Sequence, residues 1–262
     1  MSRGLGDVYK RQSEFSESII PELQSIHKIA ASLPVESVEL LYLTFLSEVY
    51  PMAFQVPSYA RYLEDQNFEE CFGWLKRILQ VLQFHYKKPH WLLKGPSHLP
   101  YIFDFLKVFP DTRIIFTHRD PIVTADSTLS LFGSLYWWRS DKPWGDGGND
   151  TWVLAPAQQR AEVWNPIIDS LEQGLLANSK VSNVNYQEFI SEPMQAVRQV
   201  YLDLELDLSQ ETEAKMLTFL ANKPKGKFGE HIYSKTPAEV IAEERVAYQR
   251  YQQYFNVANE TA

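Results

Sequence analysis

Two cationic clusters, each closing a short apolar run, hold the residues of this sequence most suited to chemistry. Trp91-Leu92-Leu93 stops abruptly at Lys94, with Ser97 and His98 just beyond, and Arg113–Thr117 stops at His118 and Arg119. If both runs are buried strands of one parallel sheet, ligands bind beyond their carboxyl ends, and cations there make a local anion site. Asp120-Pro121 then reads as a helix start, with Asp as N-cap and Pro at the first helical position. Ser127 follows Arg119 by eight residues, roughly 9 Å into that helix at 1.5 Å per residue. A phosphate near the helix start could accept from the Arg fork and the Ser hydroxyl together, with the helix dipole in its favour. Each group alone is ambiguous: a cation can simply end a strand in solvent, and a helical serine is usually neutral packing.

The elements that must position these groups are legible from periodicity. Ser16–Leu33 carries apolar residues near helical spacing, and a second helical pattern runs through Val38, Leu41, Phe45 and Val49. Phe68, Phe72, Leu75, Leu79 and Leu82 form one apolar stripe of a helix spanning about Asn67–Tyr86. The period then changes to strand (Trp91–Leu93), helix (Leu99–Val108), strand (Arg113–Thr117) and helix (from Pro121), the alternation of a parallel α/β sheet. Tyr136–Trp152 reads as a Trp- and Gly-rich loop, Pro156–Ala177 as a helix and Val181–Tyr186 as a third strand. Helices at Pro193–Leu204, Ser209–Leu220 and Pro237–Phe255 complete the pattern, with a basic loop at Asn222–Tyr233. Met1–Gln12 has no periodicity and reads as a non-native or disordered tail, leaving residues 13–262 as a single domain.

Composition narrows the classes. Of 262 residues, 45% are hydrophobic and 22% charged, close to globular averages, which excludes disordered and fibrous chains. The net charge of −8 argues against a general nucleic-acid surface, which needs clustered Lys and Arg, but leaves room for a small basic pocket. One cysteine, Cys71, excludes an internal disulfide framework and a cysteine-rich metal site. The longest strongly apolar stretch, around Leu40–Leu46, falls far short of the ~20 residues that span a membrane. The expectation is a soluble, cytoplasmic protein.

The stretch Trp91–Phe132 resembles the central block of sulfotransferases that use 3′-phosphoadenosine-5′-phosphosulfate (PAPS). The nearest pattern is the broad bacterial type: W-x-L-K-x-P-x-H-L, then F-P-D-x-x-I-I-x-T-H-R-D-P, then a Ser. Weaker likeness continues through Val184–Phe189 and Lys225–Tyr233, so that the resemblance covers about Pro34–Phe255. It implies an α/β, P-loop-NTPase-like three-layer fold, with a short parallel sheet flanked by many helices. By the same resemblance, Arg119 and Ser127 hold the 3′-phosphate of the nucleotide. Lys225, Gly226 and Lys227 cover it from the other side, and Tyr186 contacts the adenine. His98 stands where some members carry the general base, and Lys94 stands near the transferring sulfonate. PAPS is the implied sulfonate donor, no metal is required, and the acceptor is a small molecule, carbohydrate or lipid bearing a hydroxyl or amine. Trp137, Trp138, Trp144 and Trp152 could wall an acceptor pocket or staple a loop to the core.

One family element has no counterpart before Lys94: the strand and G-x-x-R-S-G-T-T loop that cradle the 5′-phosphosulfate. Upstream glycines are Gly4, Gly6 and Gly73 alone. The expectation is an N-terminally truncated fragment lacking the first strand and Gly-rich loop. The competing reading is a non-catalytic α/β nucleotide-binding-like module or partner subunit. A kinase of related architecture would need a Walker Lys loop, which is also absent.

Overall fold

The structure, a computed structural model, describes residues 3–20, 33–85, 87–141, 155–176, 180–222 and 236–261. In chain order the helices of the first half are α1 (Arg3–Ile19), α2 (Val38–Leu41), α3 (Val49–Ala53), α4 (Pro57–Glu64), α5 (Phe68–His85) and α6 (Ile102–Val108). Strand β1 (Ile114–His118), helices α7 (Pro121–Arg139), α8 (Ala157–Glu162) and α9 (Trp164–Glu172), and strand β2 (Val181–Asn185) follow. Helices α10 (Tyr186–Ser191), α11 (Pro193–Asp203), α12 (Gln210–Asn222) and α13 (Ala238–Phe255) end the chain. The residues group into two compact units, one of 1–109 with 127–155, the other of 110–126 with 156–262.

The first unit is built on α5. Asn67 caps it, its Oδ1 accepting from Glu69 N at 2.8 Å, and Glu69 and Glu70 suit the positive end of the helix dipole. Phe68, Cys71, Phe72, Leu75 and Leu79 are buried and pack with Leu41, Leu63 and Phe105 into one apolar cluster. Leu82, the last residue of the predicted stripe, is 37% exposed. Cys71 is fully buried and its thiol lies 3.1 Å from Leu46 O. Burial pushes its pKa up, so it is a packing residue and not a reactive thiol. The helical pattern predicted through Val38–Val49 breaks into α2, a 3₁₀ turn at Tyr42–Thr44 and α3, because Phe45 adopts the left-handed conformation at φ 54°. A second cluster joins Met52, Phe132 and Tyr136, with the Tyr136 hydroxyl donating to the Pro51 carbonyl.

The predicted strand Trp91–Leu93 does not form. Leu92 is 88% exposed and Trp91 41%; Leu93 alone of the three packs against the α5 cluster. The backbone here bonds to a helix start and not to a ladder: Lys94 O accepts from Ser37 N at 2.9 Å. Tyr136–Arg139, read as the start of a loop, continues α7, and the predicted helix Pro156–Ala177 is split into α8 and α9. Pro166 explains the split, since it has no N–H to offer Glu162 O and crowds that carbonyl.

The second unit carries the sheet. Among the described residues it has two strands, β1 and β2, paired parallel from Ile114↔Val181 to His118↔Asn185. Burial alternates along β1, with Ile114, Phe116 and His118 inside and Ile115 and Thr117 outside. Trp164, Tyr251 and Phe255 pack against the inner positions.

Beyond β1, Asp120 is fully buried. Its Oδ1 accepts from Ile122 N at 3.0 Å, which caps α7 as predicted. Arg245 of α13 grips both oxygens at 3.1 and 2.9 Å, and Oδ2 also accepts from Glu260 N at 2.6 Å and Thr261 N at 3.3 Å. Burial opposes ionisation of Asp120, but Arg245 and the amides of Glu260 and Ile122 outweigh it and hold the carboxyl below its usual range. Asp120→Ala leaves Arg245 without its buried partner and should cost about 3–5 kcal/mol, read by urea denaturation. Since the folded pKa lies below the unfolded ~3.9, Asp120 stabilises the fold above about pH 4. That contribution should fade as pH falls through the folded value, and the alanine variant should lack this acid limb.

Candidate functional site

Each unit assembles one constellation of the residues singled out in the sequence. In the second unit the parallel register aligns the two strand ends, His118 opposite Asn185, so the next residues, Arg119 and Tyr186, emerge together. The Arg119 guanidinium lies over the Tyr186 ring, 4.0 Å from its centroid. Its Nε donates to Glu260 Oε1 at 2.9 Å and Oε2 at 3.1 Å, and its Nη2 to Oε2 at 2.9 Å. One edge of the fork thus holds an oxyanion in a bidentate grip while one face rests on an aromatic ring, the arrangement by which Arg recognises carboxylates and phosphates. The Arg119 side chain is 33% exposed and that of Glu260 14%.

His118, grouped with Arg119 in the sequence as a cation, is not one. The pleat turns it into the core, where it is 1% exposed and stacks on Phe255 at 4.0 Å. Its Nε2 meets Asn183 Oδ1 at 2.9 Å and its Nδ1 meets Tyr251 Oη at 3.2 Å. An amide oxygen only accepts, so Nε2 carries the proton and Nδ1 accepts from the tyrosine. Burial lowers the His118 pKa, leaving it neutral.

In the first unit, Ser37 ties Lys94 to His98. Its hydroxyl donates to Lys94 O at 3.0 Å and stands 2.6 Å from His98 Nε2. With that hydrogen committed to the carbonyl, Nε2–H donates to Ser37 Oγ. Nδ1 is then the lone-pair nitrogen; among the described residues it has no hydrogen-bond partner, and it is shielded from solvent. The ring packs edge-on to Phe72 at 5.6 Å and lies 5.0 Å from Phe105. A Cβ on Gly95 would come within 3.2 Å of the His98 ring and of Ser37 Oγ, so glycine is what lets this turn close. Burial drives the His98 pKa down to about 4, against an opposing pull from the Glu36 carboxylate. Lys94 is exposed and ion-paired with Glu36. Ser127 is half-buried on α7. Lys225, Gly226 and Lys227 lie outside the described residues, as do Trp144 and Trp152. Among the described residues no group of His, Cys, Asp and Glu is arranged to hold a metal ion, and no helix is long and apolar enough to cross a membrane.

Ser37, Glu36, Glu260 and Tyr251 complete these constellations, and sequence reasoning passed over all four. The capping-type Ser37 looks like an ordinary helix-start residue, and Glu260 lies 141 positions from Arg119, beyond any local pattern.

The buried imidazole makes a pH prediction. Between its unfolded pKa near 6.5 and its folded value of about 4, the unfolded chain takes a proton that the folded chain refuses. His98 should therefore remove stability as pH falls across that window. In NMR its ring resonances should stay those of a neutral imidazole from pH 8 to 5; titration near 6.5 would show that the ring is solvated.

The family model described as the sulfotransferase family matches residues 3–210. The omega-hydroxy-beta-dihydromenaquinone-9 sulfotransferases Stf3 of Mycobacterium bovis and of Mycobacterium tuberculosis are each 27% identical over 157 residues, covering 57% of this chain and 38% of the relative. The crystal structure of sulfotransferase STF9 from Mycobacterium avium superposes with a TM-score of 0.72 at 21% identity, covering 100% of this chain and 66% of that one. Sulfotransferase STF1 from Mycobacterium tuberculosis gives 0.61 at 24% identity, over 97% of this chain and 63% of that one. The chain thus spans well under half the length of the curated relatives and just under two thirds of the solved chains. The match over most of its length, together with the α/β fold it shares with those structures, assigns this chain to the sulfotransferase family.

Proposed function

We propose that the chain acts in sulfonate transfer from PAPS to an acceptor hydroxyl or amine, and that Arg119 and Tyr186 belong to the nucleotide site. The observation that carries this reading is the Arg119 fork at the end of β1, stacked on Tyr186 and already gripping an oxyanion, the Glu260 carboxylate. A carboxylate held by two nitrogens is a fair stand-in for two oxygens of a phosphate, so the residues present fit the 3′-phosphate of the donor. Ser127 and the Lys225, Gly226 and Lys227 loop complete the phosphate contacts in this reading, and Tyr186 contacts the adenine.

The reaction is an in-line displacement. The acceptor oxygen or nitrogen bonds to sulfur as the bond from sulfur to the phosphate oxygen of the nucleotide breaks, releasing adenosine 3′,5′-bisphosphate. Positioning and charge neutralisation provide most of the acceleration in such transfers. Lys94 offsets charge developing on the sulfonate, and His98 takes the acceptor's proton. The His98 ring offers a neutral imidazole whose Nδ1 has no partner among the described residues, but while buried, with its pKa held at about 4, it is a weak base. Because that nitrogen is shielded, the role requires the Pro96–His98 turn to open when acceptor binds. The Stf3 relatives are named for a hydroxylated menaquinone, which supports a lipid-like alcohol as the acceptor.

Calorimetric titration with adenosine 3′,5′-bisphosphate tests the nucleotide site. Arg119→Ala should weaken binding about 10- to 100-fold, the equivalent of roughly 1.5–3 kcal/mol for a charge-assisted contact; equal affinity for both proteins would remove Arg119 from the site. In a turnover assay with PAPS and a long-chain alcohol, His98→Ala should lower turnover and leave bisphosphate affinity unchanged, as a group acting only in the chemical step does. Unaltered turnover would exclude His98 as the base.

A further inference from the structure

The segment that follows α13 carries a carboxylate into the grip of Arg119, and the way it is held there has a consequence for ligand binding. The helix ends at Asn256, which adopts the left-handed conformation at φ 51° and turns the chain back. Val257 is buried beside Ile168, Tyr251 and Phe255. Gln252 Nε2 donates to Val257 O at 3.2 Å and to Asn259 Oδ1 at 2.9 Å. Glu260 N and Thr261 N donate to Asp120, and Arg245 Nη2 donates to Thr261 O at 2.5 Å. The backbone on both sides of Glu260 is therefore fixed by contacts that do not involve Arg119. Only the Glu260 side chain depends on the guanidinium, and it takes the Nε–Nη2 edge with both carboxylate oxygens.

We propose that Glu260 is an internal competitor for the phosphate seat: its carboxylate occupies the Arg119 fork until a nucleotide 3′-phosphate displaces it. The proposal rests on the reading of Arg119 as a 3′-phosphate ligand. Two anions cannot both use one edge of a guanidinium, and like charges at that spacing repel strongly in a partly buried site. A tethered carboxylate also competes at a high effective concentration, because its backbone is already ordered. Displacement needs only a change in the Glu260 side chain. Asp120, Arg245 and Val257 keep the segment docked, so the carboxylate returns when the nucleotide leaves. The device lowers apparent nucleotide affinity and keeps the Arg119 charge compensated while the seat is empty of ligand.

The test compares the unaltered chain with Glu260→Gln and Glu260→Ala, titrated calorimetrically with adenosine 3′,5′-bisphosphate and with adenosine 5′-monophosphate, which lacks the 3′-phosphate. Both variants should bind the bisphosphate at least tenfold more tightly and the monophosphate unchanged. Thermal melts check that both remain folded; the glutamine variant keeps the shape of the side chain and an oxygen for Arg119. Bisphosphate affinity unchanged or weakened in both variants, with Arg119→Ala still weakening it, overturns the competitor role and leaves the nucleotide site standing. Equal tightening of both nucleotides overturns it also, since the effect would not pass through the 3′-phosphate. Bisphosphate affinity insensitive to Arg119→Ala in every background overturns the site assignment, and the competitor role with it.

Discussion

The second unit depends on a single buried carboxylate. Asp120 is shut off from solvent, and an ionised group in that position is tolerable only if its lone pairs are filled. Five hydrogen bonds fill them: one from the first turn of α7, two from Arg245 on α13, and two from the backbone at Glu260 and Thr261. Strand end, helix start, last helix and the segment beyond it therefore meet at one point. The position of Glu260 against Arg119 follows from that point, because the residue bonded to Asp120 through its backbone is the residue bonded to Arg119 through its side chain.

The adjacent residues His118 and Arg119 show how backbone geometry sorts side chains of similar chemistry. The strand pleat sends His118 inward, where Trp164, Tyr251 and Phe255 surround it and burial keeps it neutral. Arg119, one position on, leaves the strand and meets Tyr186, which leaves the neighbouring strand at the matching register. A parallel pair puts both chain exits at the same edge, and that is the physical reason the carboxyl edge of a parallel sheet collects functional groups. The aromatic wall behind His118 and the cation in front of it are two faces of one strand end.

In the first unit a different balance holds. The Ser37–His98 contact is packed into an aromatic shell rather than solvated, and Gly95 keeps the approach close. Phe72 and Phe105 desolvate the imidazole more than Glu36 can favour its charged form. The exposed Lys94 beside it pairs with the same Glu36. His98 thus owes its neutral state to how deeply its ring sits in the aromatic shell.

The local sequence determined a good deal on its own. The apolar stripe of α5, the cap at Asp120-Pro121, the strands at Ile114–His118 and Val181–Asn185, and the last three helices follow from periodicity and capping chemistry, which act over a few residues. The family block around Lys94, His98 and Arg119 was equally legible, because its residue types are dense and ordered. Tertiary structure decided what spacing cannot encode. Trp91–Leu93 has strand composition but no pairing partner among the described residues, and the carbonyl that follows it, Lys94 O, is taken by Ser37. The long helix expected before β2 divides because Pro166 withdraws one backbone donor. His118 and Arg119 look alike on paper, and only the pleat separates the buried ring from the partly exposed guanidinium. Ser37 and Glu260 became part of the two constellations through contacts across 61 and 141 residues of chain. Contacts at that separation depend on which elements pack together, and burial of the whole apolar set determines that, where local pattern does not.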